Sequence, residues 1–195
     1  RIEGQKTAAF EVIDELGEAP EVHVIPVGNA GNISAYWRGY TQYASAGKVM
    51  RTPRMWGFQA AGAAPLVIGH PVLQPETVAT AIRIGNPASA EQARAARDQS
   101  GGLIEAVDEQ QILDAQGFLA REEGIFVEPA SAAGVAGLLA KHQRGEIESG
   151  LQIVITVTGH GLKDVDTALS RVGPVHAEVV TADLLAIASV CGLVD

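Results

Sequence analysis

One stretch of the sequence decides the fold: Val22-His23-Val24-Ile25-Pro26-Val27-Gly28-Asn29-Ala30-Gly31-Asn32. Its first six residues have the length and β-branched composition of a strand, and a helix-like pattern follows the glycine loop directly. Glycines let the backbone approach a ligand, and the N–H groups of a helix N-terminus attract anions. The loop therefore indicates a phosphate site or only a tight turn. Its spacing fits neither GxGxxG nor GxxxxGK[ST], which disfavours dinucleotide and nucleoside triphosphate sites.

The same alternation of strand-like and helix-like segments continues along the chain. Helices are predicted at residues 6–16, 33–46, 88–99, 109–123, 131–144 and 164–169 and from residue 182, and strands at 22–27, 54–59, 103–107, 152–157 and 177–180. Asp108 and Ser131 are predicted N-caps, and the proline-rich residues 65–75 are expected to form a surface loop. Small residues at 132–140 indicate close packing of that helix on the sheet. This order predicts an α/β fold with a doubly wound, mostly parallel sheet flanked by helices.

Composition narrows the classes of protein. The chain has 195 residues, 47% hydrophobic and 19% charged, which is typical of a globular domain and excludes disorder, collagen and a disulfide scaffold. A net charge of −9 makes nucleic acid an unsuitable partner. Cys191 has no partner cysteine and no Cys/His spacing suits zinc, so we expect a cytoplasmic protein without a structural metal. No apolar run is long enough for a spanning helix, and no membrane association is expected.

A second signal follows the apolar strand at residues 152–157, in the sequence Thr156-Val157-Thr158-Gly159-His160-Gly161. Open α/β sheets bind ligands at the carboxyl ends of their strands. The hydroxyl of Thr158 is suited to a ring nitrogen there, although a threonine at the end of a strand is more often a cap. His160, between two glycines, is predicted to contact a ligand or to be a loop residue.

Two further groups of residues have both a functional and a structural interpretation. Glu128 precedes a proline and is therefore held extended, so that its carboxylate either points into a crevice or lies on a solvated turn. Tyr36, Trp37 and Tyr40 are predicted to be mostly core or interface residues, with ligand contact as the less favoured interpretation.

Four motifs in this order carry a family resemblance: RIEGQKT at residues 1–7, GNAGN at 28–32, EPASAA at 128–133 and TGHGLKD at 158–164. Together they resemble the C-terminal half of the threonine synthases, pyridoxal-phosphate enzymes of the tryptophan-synthase-β fold group. The first and last motifs are the most particular to that family. The resemblance covers residues 1 to about 169 and leaves residues 170–195 unmatched.

The resemblance implies a role for each matching residue. The backbone of a five-residue loop would hold the cofactor phosphate: Gly28, Asn29, Ala30, Gly31 and Asn32. Thr158 would bond the pyridine nitrogen of pyridoxal 5′-phosphate, and Arg1 would bind the phosphate of O-phospho-L-homoserine. The implied reaction converts this substrate and water to L-threonine and inorganic phosphate. The resemblance also implies a homodimer.

The sequence departs from the family pattern at one essential point. The Schiff-base lysine of these enzymes lies in an SFKDRG-like segment, and none of Lys6, Lys48, Lys141 and Lys163 stands in that context. Residues 1–195 are therefore expected to form the cofactor-binding, C-terminal part of a two-domain enzyme, a fragment without the N-terminal half and inactive alone. Two alternatives are another lyase of the fold group, such as a serine or threonine dehydratase or a cysteine synthase, and a non-catalytic binding module.

Overall fold

The computed structural model describes residues 1–172 and 179–194. These residues form two compact units: the first is Arg1–Asp164, and the second is the described part of Val165–Asp195. The second unit contains α8 (Val165–Val172) and α9 (Leu184–Val190), and the predicted alanine-rich helix is thereby confirmed. The predicted strand at residues 177–180 is wrong for its described part, because Val179 and Val180 belong to no strand among the described residues; residues 177 and 178 lie outside the described residues.

The first unit alternates strands with helices, as the sequence predicts. The strands are β1 (Val22–Pro26), β2 (Arg54–Ala60), β3 (Leu103–Val107) and β4 (Ile153–Ile155). The helices are α1 (Ile2–Gln5), α2 (Thr7–Leu16), α3 (Gly31–Ser45), α4 (Pro65–Ile68), α5 (Ala90–Gln99), α6 (Glu109–Glu122) and α7 (Pro129–Gln143). Short 3-10 turns at Ala61–Ala63, Thr80–Ile82 and Gly161–Lys163 complete it.

The four strands form one parallel sheet in the order β3-β2-β1-β4. Val24 lies at its centre, opposite Trp56 on one side and Ile155 on the other. Parallel neighbours need crossover helices, and these helices cover both faces of the sheet. The prediction of a doubly wound, parallel α/β fold is confirmed.

Alternate side chains of β1 enter two different cores. Val22 and Val24 pack with α6 and α7, whereas Ile25 packs with α2, α3 and α5 on the opposite face. Trp37 and Tyr40 are buried in this second core, which confirms their predicted core role. The structure thus buries β1 on both faces, as its continuous apolar run requires.

Helix α7 lies very close to the sheet. A Cβ atom at Gly137 would overlap the ring of Phe58 on β2, and a Cβ atom at Gly134 would lie 3.3 Å from Val24 Cγ1. The predicted close packing of this small-residue helix is confirmed.

Three local predictions need correction. Residues 65–75 are not only a surface loop, because Pro65–Ile68 is helical and Leu66 is buried, its N–H donating to the buried Gln59 side chain. The predicted strand at 152–157 shortens to Ile153–Ile155, the three residues over which β4 pairs with β1. Ser131 is not the N-cap of α7: Pro129 fits the first helical position and places the cap at Glu128. Asp108, in contrast, forms the predicted cap, as part of a capping box.

Candidate functional site

A cavity of about 750 Å³ opens at the carboxyl ends of β1 and β4. This volume lies within the range of small-molecule sites, and its place is the one expected for ligands of open α/β sheets. All seven residues predicted for binding line this cavity: Arg1, Gly28, Asn29, Ala30, Gly31, Asn32 and Thr158. The fold therefore brings together three motifs that lie far apart in the sequence.

The loop after β1 has the geometry of an anion cradle. A Cβ atom at Gly28 would lie 2.8 Å from Ile82 Cα, so the backbone here requires glycine. Ala30 has a left-handed backbone with φ 65°, and no side chain of residues 1–172 and 179–194 caps the 15-residue helix that follows it. The N–H groups of the first helical turn are thus left for a ligand, where the helix dipole favours negative charge.

Asn29 has a different role from its neighbours in the loop. Its side-chain Oδ1 accepts a hydrogen bond from Ala88 N at 2.8 Å, and its carbonyl accepts one from Ser89 N at 3.2 Å. Asn29 therefore fixes the cradle to the segment before α5 through both its side chain and its main chain.

The end of β4 forms the opposite wall of the cavity. Thr158 is exposed in this chain, and its main-chain N–H donates to Ser131 Oγ at 2.5 Å. Ser131 itself is fully buried in the first turn of α7. The side chain of Thr158 is thereby held at the cavity while its backbone is tied to α7.

A buried carboxylate lies beside Thr158. Glu128 is 5% exposed, and its Oε1 forms an ion pair with Lys163 Nζ at 3.0 Å. A Cβ atom at Gly159 would overlap this carboxylate, so glycine at that position is required for Glu128 to enter the site. Glu128 and Lys163 both line the cavity, which supports the crevice interpretation of Glu128.

His160 does not line the cavity. Its Nδ1 accepts a hydrogen bond from Leu162 N at 3.1 Å and its ring meets the Phe126 ring edge-on at 5.9 Å. Of the two predictions for His160, the structure supports the loop residue.

Sequence reasoning missed two polar residues at this end of the sheet. Gln5 lines the cavity beside the cradle, and its helical turn places it on the same face as Arg1. His23 is fully buried under the site, with Tyr40 Oη at 2.6 Å from Nδ1 and Thr156 Oγ1 at 2.7 Å from Nε2. Burial lowers the pKa of His23 from 6.5 to about 3, so the imidazole is neutral. The sequence signal that could have identified His23 is its position within a run of apolar strand residues.

No group of three or more His, Cys, Asp or Glu side chains in the part of the chain that the structure describes is placed to hold a metal ion. None of the helices in residues 1–172 and 179–194 has both the length and the apolar character to cross a membrane.

Comparison with known proteins defines the class. A family model described as "Pyridoxal-phosphate dependent enzyme" matches residues 1–159, and the chain belongs to this family. Within it, the chain is 56% identical over 194 residues to threonine synthase of Mycobacterium leprae, which covers 100% of the chain and 53% of that protein. Threonine synthase of Synechocystis is 56% identical over 173 residues, 89% of the chain and 45% of the protein. The chain spans about half the length of the curated relatives it matches.

Solved structures share the fold at lower identity. The processed threonine deaminase isoform 2 of Solanum lycopersicum is 21% identical with a TM-score of 0.70, covering 86% of this chain and 47% of that one. Maize serine racemase is 21% identical with a TM-score of 0.64, and the match covers 87% of this chain and 52% of that one. These neighbours support the fold alone.

The cavity fits the cofactor of the family. The uncapped N-terminus of α3 forms a cradle for a phosphate together with Gly28, where a Cβ atom would clash with Ile82. Thr158, a residue with a hydroxyl group, lines the same cavity, and a ring nitrogen there needs one hydrogen-bond partner. Pyridoxal 5′-phosphate carries both groups.

Proposed function

We propose that this chain forms the cofactor-binding side of a threonine synthase, which converts O-phospho-L-homoserine and water to L-threonine and inorganic phosphate. Curated proteins of that name are 49–58% identical to the chain over at least 170 residues. The observation that carries the proposal is that the β1 loop, Thr158 and Arg1 line one cavity. A phosphate cradle, a partner for the cofactor ring and a cation for the substrate phosphate are three of the groups this reaction needs.

The proposed roles follow from the chemistry of each residue. Pyridoxal 5′-phosphate, when bound, supplies an electron sink for carbanion chemistry. The backbone of residues 28–32 holds its phosphate, and the Thr158 hydroxyl bonds its ring nitrogen. A hydroxyl, unlike a carboxylate, does not hold that nitrogen protonated, so Thr158 moderates the sink and favours elimination and water addition over transamination.

Arg1 is proposed to bind the phosphate of the substrate. Its guanidinium is always charged, and its planar fork of N–H donors matches two phosphate oxygens. Arg1 and the cradle line the same cavity, so two separate groups are available for the two phosphates that the reaction brings together.

A catalytic lysine is the remaining requirement. Of the four lysines in the sequence, Lys163 lines the cavity, and it is ion-paired with Glu128. Lys6 pairs with Glu3, and the buried Lys141 pairs with Glu105 and Glu146. We therefore propose that residues 1–195 are the C-terminal, cofactor-binding part of the enzyme and are inactive without a lysine from an N-terminal half. We propose that the enzyme is cytoplasmic and a homodimer. Sedimentation of the complete protein tests the oligomeric state.

Product analysis tests the function. The purified chain with pyridoxal 5′-phosphate and O-phospho-L-homoserine is expected to release no phosphate above background. Addition of the N-terminal half of a threonine synthase is expected to restore formation of threonine and phosphate in equal amounts. Formation of a 2-oxo acid and ammonia would instead identify a dehydratase, and no turnover with the added half would identify a non-catalytic binding module.

Borohydride trapping tests the absence of a reactive lysine. The chain with pyridoxal 5′-phosphate is expected to show free-aldehyde absorbance and no mass increase after reduction. Pyridoxal, which lacks the phosphate, controls for labelling of surface lysines. A phosphate-dependent mass increase on one lysine would contradict the proposal that the chain lacks this function.

A further inference from the structure

Gln5 carries an unsatisfied polar atom at the cavity. Its side-chain Oε1 is shielded from solvent and has no hydrogen-bond partner among the residues that the structure describes. Buried carbonyl oxygens are almost always bonded, and an exception beside a binding site needs an explanation. A donor supplied by a bound molecule is such an explanation.

The backbone fixes where this amide lies. Gln5 N donates to the Arg1 carbonyl at 2.9 Å, closing one helical turn that places both side chains on one face. Both residues line the main cavity, and Gln5 also lines a second hollow of about 260 Å³ together with Tyr36 and Thr156. Three residues are shared by the two spaces: Gln5, Asn32 and Thr158. The Gln5 amide therefore forms part of the wall between them.

The same amide lies beside the cradle. Its Oε1 is 4.0 Å from the point that a Cβ atom on Gly31, the first residue of α3, would occupy. The fully ionised phosphate of a cofactor offers only acceptors, which a carbonyl oxygen would repel. A partner for Oε1 must carry an N–H or O–H group.

We propose that Gln5 is a substrate-positioning residue whose Oε1 accepts a hydrogen bond from a donor of a bound amino-acid phosphate. The inference rests on the proposed function, because that function assigns the substrate phosphate to Arg1, which lies one helical turn before Gln5. Such a molecule has two donors: its α-ammonium group, and the hydroxyl of its phosphate when that group carries one proton. Both would satisfy the same buried acceptor.

Three variants separate this role from packing. Gln5→Met keeps the length of the side chain without a polar group, Gln5→Glu keeps the acceptor, and Gln42→Met removes an exposed amide on α3 as the matched control. Each purified chain is combined with the N-terminal half of a threonine synthase and saturated with pyridoxine 5′-phosphate, which lacks the aldehyde and cannot react with amines. Binding of O-phospho-L-homoserine is then measured by calorimetry at pH 5.5 and pH 8.

We expect Gln5→Met to bind O-phospho-L-homoserine about tenfold more weakly, the effect of one hydrogen bond. Gln5→Glu should stay within about threefold of the wild-type affinity for O-phospho-L-homoserine, and Gln42→Met should bind it as the wild type does. Gln5→Met and Gln42→Met should bind pyridoxine 5′-phosphate as the wild type does. A loss at both pH values identifies the ammonium group as the donor. A loss only at pH 5.5 identifies the phosphate hydroxyl, since phosphate monoesters lose that proton near pH 6.

Three results would overturn the inference. Equal binding by Gln5→Met and the wild type would remove Gln5 from the site and leave the proposed function intact. Weaker binding by Gln5→Glu than by Gln5→Met would mean that the amide donates to phosphate. A wild-type chain that, together with the N-terminal half, binds pyridoxine 5′-phosphate but not O-phospho-L-homoserine would contradict the proposed substrate and, with it, the role of Gln5.

Discussion

The main-chain N–H of Thr158 donates to the side-chain oxygen of Ser131 at 2.5 Å, which joins the end of β4 to the first turn of α7. Ser131 is fully buried and Thr158 is exposed at the cavity. The bond thus connects the core to the functional surface, and it orients the one hydroxyl proposed to bond the cofactor ring.

Ser131→Ala is expected to weaken this connection. The substitution removes the acceptor of a partly buried N–H group, which costs about 1–2 kcal/mol of unfolding free energy. Affinity for pyridoxine 5′-phosphate should fall several-fold because Thr158 is no longer fixed. Urea unfolding and calorimetry measure the two effects, with the exposed Ser45→Ala as control. Unchanged cofactor-analogue affinity would show that Thr158 does not depend on Ser131.

Gly28→Ala is expected to damage the cradle and the core together. The added Cβ atom would lie 2.8 Å from Ile82 Cα, and a backbone atom cannot move as a flexible side chain does. We expect a loss of about 1–3 kcal/mol in unfolding free energy and weaker binding of inorganic phosphate. Gly4→Ala is the control, since a Cβ atom there meets nothing within 4 Å. Similar stability of the two variants would refute the close approach at Gly28.

The sequence predicted the local features of the site and missed the distant ones. The cap at Asp108 can be predicted from the sequence because its partner, Gln111, is only three residues away. Ser131 has the residue type and position of a similar cap, but its actual partner, Thr158, lies 27 residues further along the chain, where a local pattern does not reveal it. His23 contacts Thr156 across 133 residues, so only the pairing of β1 with β4 reveals that network. Patterns record backbone preferences, whereas these contacts depend on which strands become neighbours.

His23 should make stability depend on pH. Its pKa of about 3 in the folded chain lies below the ordinary value of 6.5, so the unfolded chain binds a proton that the folded chain does not. This stabilisation is complete above pH 6.5 and is lost as the pH falls toward 3. We expect His23 to account for a loss of about 2 kcal/mol between pH 7 and pH 5 in urea unfolding.

His23→Gln provides the comparison. This variant should be less stable at pH 7, because one bond of the network with Tyr40 and Thr156 is lost. Its stability should change by about 2 kcal/mol less than that of the wild type between pH 7 and pH 5. His142→Gln, an exposed substitution on α7, should keep the wild-type slope. A wild-type slope in His23→Gln would mean that His23 is not the group responsible.

The ion pair of Lys163 and Glu128 should contribute to both stability and binding. Lys163→Met leaves a carboxylate that is 5% exposed without the cation 3.0 Å away. Because the Lys163 side chain is 60% exposed, water screens part of this effect, and a loss of about 1–2 kcal/mol is expected. Lys163→Arg should restore most of it, and Lys48→Met on the surface should cost nothing measurable.

A double-mutant cycle isolates the pair. Glu128→Gln removes the charge of the carboxylate, so adding Lys163→Met to it should cost less than Lys163→Met alone, with a coupling of about 1 kcal/mol. Affinity for pyridoxine 5′-phosphate should follow the same order, since both side chains line the cavity. Additive effects on unfolding free energy would show that Glu128 and Lys163 act independently, and that Glu128 is held in the site by packing against Gly159 alone.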